Sequence, residues 1–256
     1  MNRLRCLTTI APVLLASSGA FAAAAAGDLM REGLVAETRL DTRRALELFL
    51  QAEQARPDDP VLLQKIARQY SDLVVDLPTE AEKKASVERA LAYSRRAVVL
   101  APRNAENVIS VAICLGKLAL YSGTNDKVRY SRLMHEAAER ALALNPSYAW
   151  AHHLIGRWHH EVATLGVASR LVVKIFYGGL PAASTAEAIR HLRNAVELEP
   201  GQLAHHLELG FAYAAAGQPA EARAAFATGL ALPSREKHDE SAKARARAAL
   251  AKLEQS

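Results

Sequence analysis

Apolar positions along this chain recur at helical spacing, and they come in paired helices that end on a proline. The stretch from Tyr148 to Pro200 shows the pattern most fully. It opens with an amphipathic helix, Tyr148 to Glu161, and closes with a second one, Ala188 to Pro200. In the second, Ala188, Leu192 and Ala195 are spaced by four and three, so they share one face. Small residues on such a face let two helix backbones approach closely. Twelve, eight and five residues before Pro57 stand Ala45, Phe49 and Ala52. The same offsets from Pro102 give Ala90, Ser94 and Ala97, and from Pro146 they give Met134, Ala138 and Ala141. The last set is Ala222, Phe226 and Gly229, with Pro233 one residue early. After the prolines a large, a small and a second large residue mark the next unit's first helix. These are Ile66, Ala67 and Tyr70, then Ile155, Gly156 and His159, then Leu209, Gly210 and Tyr213. Five units in one register define a tetratricopeptide-type repeat.

The pattern predicts an all-α fold: a right-handed α-solenoid of about five helix pairs, with an insertion in repeat four and a C-terminal capping helix. The repeats fall at about 27–59, 60–104, 105–148, 149–202 and 203–235, with the cap at 236–256. Gly27 to Thr38 is the first helix, with Gly33 at its small position, and Asp41 caps a partner running to Ala55. Asp58-Asp59-Pro60 turns the chain into repeat two, with helices Val61 to Val75 and about Thr79 to Leu100. Glu80 and Glu82 lie in the first turn of the second of these, where they suit the helix dipole. Repeats two and three exceed the usual 34 residues by about ten, and repeat four by about twenty. The excess in repeat four lies between Glu161 and Ala188 and holds a short extra helix, Ala168 to Tyr177. Beyond Pro233 a charged helix from Glu236 to Gln255 supplies the polar end that an array requires.

Composition supports this reading. Half the residues are apolar but only 5% are aromatic, which suits close-packed helices better than a sheet. The N-terminus carries a basic start (Arg3, Arg5), an apolar core (Leu7 to Leu15) and a small-x-small site, Ala20-Phe21-Ala22. Residues 1–26 therefore read as a signal peptide, cut there or within Ala22 to Ala26, and the protein as exported, periplasmic or secreted. The alternative is an uncleaved membrane anchor, since Cys6 to Ala26 is just long enough to span. Loss of two arginines takes the formal charge from +5 to +3. A charge of that size, spread over an array, makes few phosphate contacts, so nucleic acid is not an expected partner. Cys114 stays alone on an apolar helix and is predicted to be a buried, inert thiol.

First helices of such repeats line a concave face. The groove positions are Gln64, Arg68, Ser71 and Asp72 in repeat two, Glu106 and Lys117 in repeat three, and Trp150, His153, Arg157, His160 and Glu161 in repeat four. Repeat five offers Ala204, Leu207, Phe211 and Ala214, so the groove turns apolar toward its C-terminal end. Such a surface takes an extended peptide or a helix. Trp150 would supply apolar area, Arg157 an anion contact, and His153, His160 and Glu161 polar contacts.

Nine histidines raise the question of a metal, but His153 and His160, seven residues apart on one helix, are separated by about 10 Å. A single ion needs partners three or four apart, so neither metal nor cofactor is expected. No phosphate-binding glycine loop, nucleophile elbow or oriented Cys/His pair marks an enzyme. In the insertion, Arg170 and Lys174 stand beside Phe176 and Tyr177, and with Phe211 they form the candidate lipid-binding set. The segment reads either as a plug for the gap opened by its own lengthened repeat or as a dock for a phospholipid or membrane surface.

His153-Leu-Ile-Gly-Arg-Trp158, the insertion, Leu180-Pro-Ala-Ala-Ser-Thr185 and the tail from Leu232-Pro233 to His238-Asp-Glu240 together resemble the regulator of microtubule dynamics family. The resemblance runs from about residue 40 to the end. It implies an all-helical repeat domain without known enzymatic chemistry. Eukaryotic members are linked to microtubules or organelle contacts, and one to phospholipid binding. An exported protein meets no microtubules, so the resemblance implies a fold and a groove here rather than a cytoskeletal role.

Overall fold

The computed structural model describes residues 13–255, with side chains from residue 24 onward except those of Val167, Arg170, Phe176 and Tyr177. Among the described residues the chain is entirely helical: α1 (Val13–Thr38), α2 (Thr42–Ala55), α3 (Pro60–Asp72), α4 (Glu80–Leu100), α5 (Ala105–Leu120), α6 (Thr124–Leu144), α7 (Ala149–Ala163), α8 (Val167–Tyr177), α9 (Thr185–Leu198), α10 (Leu203–Ala215), α11 (Pro219–Ala231) and α12 (Asp239–Glu254). Local side chains set the starts. Asp41 accepts from the Arg44 amide, Asp59 from the Val61 amide, Asn104 from the Asn107 amide and Ser184 from the Glu187 amide. Thr79 and Glu82 form a reciprocal capping box at α4. Proline opens α3 and α11, where no amide hydrogen is needed.

Helices pair as α1–α2, α3–α4, α5–α6, α7–α9 and α10–α11, and α12 packs on α10 and α11. The predicted register holds. Ala45, Phe49, Ala52, Ala90, Ser94, Ala97, Ala138, Ala141, Ala188, Leu192, Ala195, Ala222 and Phe226 are all fully buried. The small positions are required by close approach. A Cβ on Gly33 would stand 2.4 Å from the Phe49 ring, and one on Gly210 2.6 Å from Phe226. Cys114 is buried with Ser94 Oγ 3.6 Å from its sulfur, and desolvation pushes its thiol up to about 11.

Several boundaries differ from the sequence expectation. α1 is already helical at Val13, the first described residue, well before Gly27, and runs through the expected cleavage site; Ala26 is already packed in the core. Residues 1–12, with Arg3, Arg5, Cys6 and the first part of the apolar run, lie outside the described residues. Among the described residues no helix is long and apolar enough to cross a membrane. α3 stops at Asp72 and tightens into a 3-10 turn, Leu73–Val75. Among the described side chains of α8, Leu171, Val172 and Ile175 plug no gap: they are 55%, 45% and 64% exposed, and it is the following segment that returns to the body. There Leu180 and Ala183 join the core, and Arg132 bonds to the Gly179 carbonyl at 2.8 Å. Finally, α12 starts at Asp239, not Glu236. The Asp239 carboxylate accepts from the amides of Arg235 and Glu236, which holds the chain before it in a loop.

Candidate functional site on the concave face

The first helices α3, α5, α7 and α10 contact one another in turn and form the inner layer of the solenoid. Arg68 and Asp72 on α3 and Lys117 on α5 come together. They are not left to solvent, because residues 236–238 lie against them. The Glu236 carboxylate pairs with the Arg68 guanidinium. Lys237 Nζ lies 3.0 Å from Asp76 and 3.5 Å from the Leu40 carbonyl. His238 Nε2 lies 3.4 Å from Asp72 and 2.9 Å from Lys117 Nζ, and Lys117 also donates to the Ser71 carbonyl at 2.8 Å. A strap from the C-terminal side of the array thus ties down its first three repeats.

Electrostatics follow from the burial. Desolvation lowers the Lys117 ammonium against the pull of Asp72. At Asp72 burial acts in the opposite sense, yet the His238 hydrogen bond and the Lys117, His238 and Arg68 charges hold the carboxyl below its ordinary value. Behind Arg68, Glu37 accepts from Lys65 and Gln69, both at 2.9 Å, so the α1–α3 joint is itself charged.

The other expected groove residues divide. Arg157 and Glu161 pair with each other at 2.8 Å on the surface of α7. Trp150 is half-buried, edge-on to His153 and His205 with ring centres 4.9 and 5.0 Å away. His160 stays partly buried, and its Nδ1 has no hydrogen-bond partner among the described residues. His153 and Gln64 were expected at the surface and are buried instead, because each is paired across a repeat boundary. His153 meets His205 at 3.0 Å, and Gln64 donates to Ser110. Burial drives the His153 imidazole down to about 3.

Phe211, expected at an apolar groove end, lies edge-on to Phe226 beneath the Arg245 guanidinium, so the cap covers it. Arg245 goes on to Glu208 at 2.7 Å. Of the remaining lipid-binding candidates, Lys174 is exposed on α8, while the Arg170, Phe176 and Tyr177 side chains lie outside the described residues. Sequence reasoning missed the strap residues Glu236, Lys237 and His238. Their only signal was a short run of mixed charge at the entrance to a predicted helix.

Stacked helix pairs around a charged inner face define a helical-repeat scaffold. A solved tetratricopeptide-repeat protein of Thermus thermophilus shares this fold: TM-score 0.67 and 21% identity, over 89% of this chain and 100% of that one. The chain belongs to the family described as regulator of microtubule dynamics protein 1-3, whose model matches residues 30–254. It is 30% identical over 159 residues to Xenopus laevis regulator of microtubule dynamics protein 3, covering 62% of this chain and 34% of that protein. It is 28% identical over 170 residues to the Mus musculus protein 1, covering 66% of this chain and 55% of the relative. The chain thus spans between about a third and just over half of these curated relatives.

Proposed function

We propose that this protein is a non-enzymatic scaffold whose concave face holds a polypeptide segment, in competition with its own strap. One observation carries the reading: side chains of α3 and α5, with Asp76 just beyond α3, converge on a short stretch of chain, Glu236-Lys237-His238, and bind it by its charged and polar side chains. A surface that accepts this stretch is chemically fitted to an external segment with an acidic residue opposite Arg68 and a basic one opposite Asp76. The test uses a fluorescent peptide spanning residues 230–241 and the chain carrying Glu236→Lys with Lys237→Glu, which releases the strap. Saturable binding that disappears on adding Arg68→Glu supports the reading. Absence of binding to the released chain makes the face an internal joint.

Export completes the proposal, supported by Arg3, Arg5 and the apolar run ending at Ala20-Phe21-Ala22. N-terminal sequencing of the purified protein checks it.

A second reading rests on α8. Three apolar side chains and Lys174 exposed on one short helix suit a phospholipid surface. Flotation with anionic vesicles, compared between the native chain and Leu171→Ser with Ile175→Ser, decides it.

A further inference from the structure

Between α7 and α9 stands a cluster that neither the groove nor the strap uses. His159 of α7 meets Glu187 and His191 of α9, and one donor atom from each lies within 4.8 Å of the others. Glu187 and His191 are four apart, so they project from one face of α9, with His191 Nε2 4.0 Å from Glu187 Oε2. His159 enters from the facing helix. It is 8% exposed, and its Nδ1 has no hydrogen-bond partner among the described residues.

A relay of hydrogen bonds sets the proton on His191. The Pro146 carbonyl only accepts, so His152 Nε2, 3.1 Å away, carries the hydrogen. A neutral His152 then presents a bare Nδ1, and His191 Nδ1 at 2.9 Å donates to it. His191 Nε2 is left as a lone pair directed toward Glu187. Metal-bound histidines are oriented in this way, the far ring nitrogen donating to a second group that fixes the tautomer. A cation already answers to the arrangement: Arg190 Nη2 lies 2.8 Å from His191 Nε2 and 2.5 Å from Glu187 Oε2. Its side chain is 54% exposed, free to swing into water.

We propose that His159, Glu187 and His191 bind a divalent transition-metal ion of the zinc type, with Arg190 as the built-in competitor. Two imidazoles and a carboxylate are a donor set zinc accepts, with a fourth position for water. Donors around such an ion stand about 3.3 Å apart. The cluster must therefore tighten by roughly 1.5 Å at its widest, a movement open to the half-exposed Glu187. The ion would join α7 to α9 and so clamp the base of the insertion that carries α8. His153 and His160 stand too far apart on one helix to share an ion. This set is drawn from two helices that are separated in sequence by the insertion.

The experiment is calorimetric titration of the chelator-treated full chain with zinc, with cobalt absorption reporting tetrahedral geometry. One ion per chain is expected. Glu187→Gln should weaken binding about tenfold or more, as should His191→Gln, while Arg190→Gln should tighten it several-fold. Circular dichroism checks that each variant folds, and the half-exposed Glu187→Gln keeps the test available if the buried His191→Gln does not. No binding by either the native chain or Arg190→Gln overturns the proposal. So does binding indifferent to Glu187→Gln, which would place the ion on other histidines.

Discussion

Glu236 and Arg68, 168 positions apart in the chain, close an ion pair across the concave face. Both side chains are about two-thirds buried, and Arg68 also reaches Glu37 and Asp72. The pair therefore sits in a network, where coupling is greater than for an isolated surface bridge. A double-mutant cycle of Arg68→Ala and Glu236→Ala should return a coupling of about 1 kcal/mol in urea unfolding. Hydrogen exchange in residues 233–238 should rise in both single variants. A coupling near zero would mean that the strap is held by Lys237 and His238 alone.

Gly210 is one of the positions where the repeat has no room for a side chain. An added methyl group would stand 2.6 Å from two Phe226 ring atoms, and Phe226 is fully buried with nowhere to retreat. Gly210→Ala should cost about 1–3 kcal/mol despite the better helix propensity of alanine. Gly27→Ala in α1, with nothing within 4 Å of the new methyl, should instead be neutral or stabilising by up to about 1 kcal/mol. Thermal melts of the two variants compare the predictions directly.

The contrast between those glycines also shows what the sequence could reveal. Spacing of Ala45, Phe49 and Ala52, or of Ala188, Leu192 and Ala195, is a property of one helix, and such sets came out buried as read. The insertion was legible as excess length. Contacts that join distant repeats were not. Whether Glu236 meets Arg68 depends on curvature summed over the whole array, which no local pattern records. His153 misled for a related reason. Its polarity placed it in the groove, but its partner His205 stands 52 residues later, on α10, and the two imidazoles satisfy each other inside.

Cys114 tests the packing of the central repeats. It is 2% exposed, and burial pushes the thiol up to about 11, so almost no thiolate exists at neutral pH. Ellman's reagent should label the native chain at Cys114 only as fast as the core opens, and at once in denaturant. Fast labelling at Cys114 of the folded chain would show that α4 and α5 separate readily.

The His153–His205 pair should make stability depend on acid. Burial dominates at both residues: it lowers His153 to about 3, helped by Arg157 and Arg245, and His205 to about 2, helped by His153 and His206. An unfolded imidazole titrates near 6.5, roughly the ordinary value. Below that pH the unfolded chain binds protons that the folded chain refuses, so unfolding becomes easier as pH falls toward 3. This contribution is full well above pH 6.5, and each of the two imidazoles should remove on the order of 2 kcal/mol by pH 5. Glu199, 3.5 Å from His205 Nε2, could accept that proton's charge and soften the loss, but it is 44% exposed and well screened. Urea midpoints at pH 5 and pH 8 measure the effect. In His153→Gln with His205→Gln the difference should shrink, and an undiminished difference would assign the acid sensitivity to other groups.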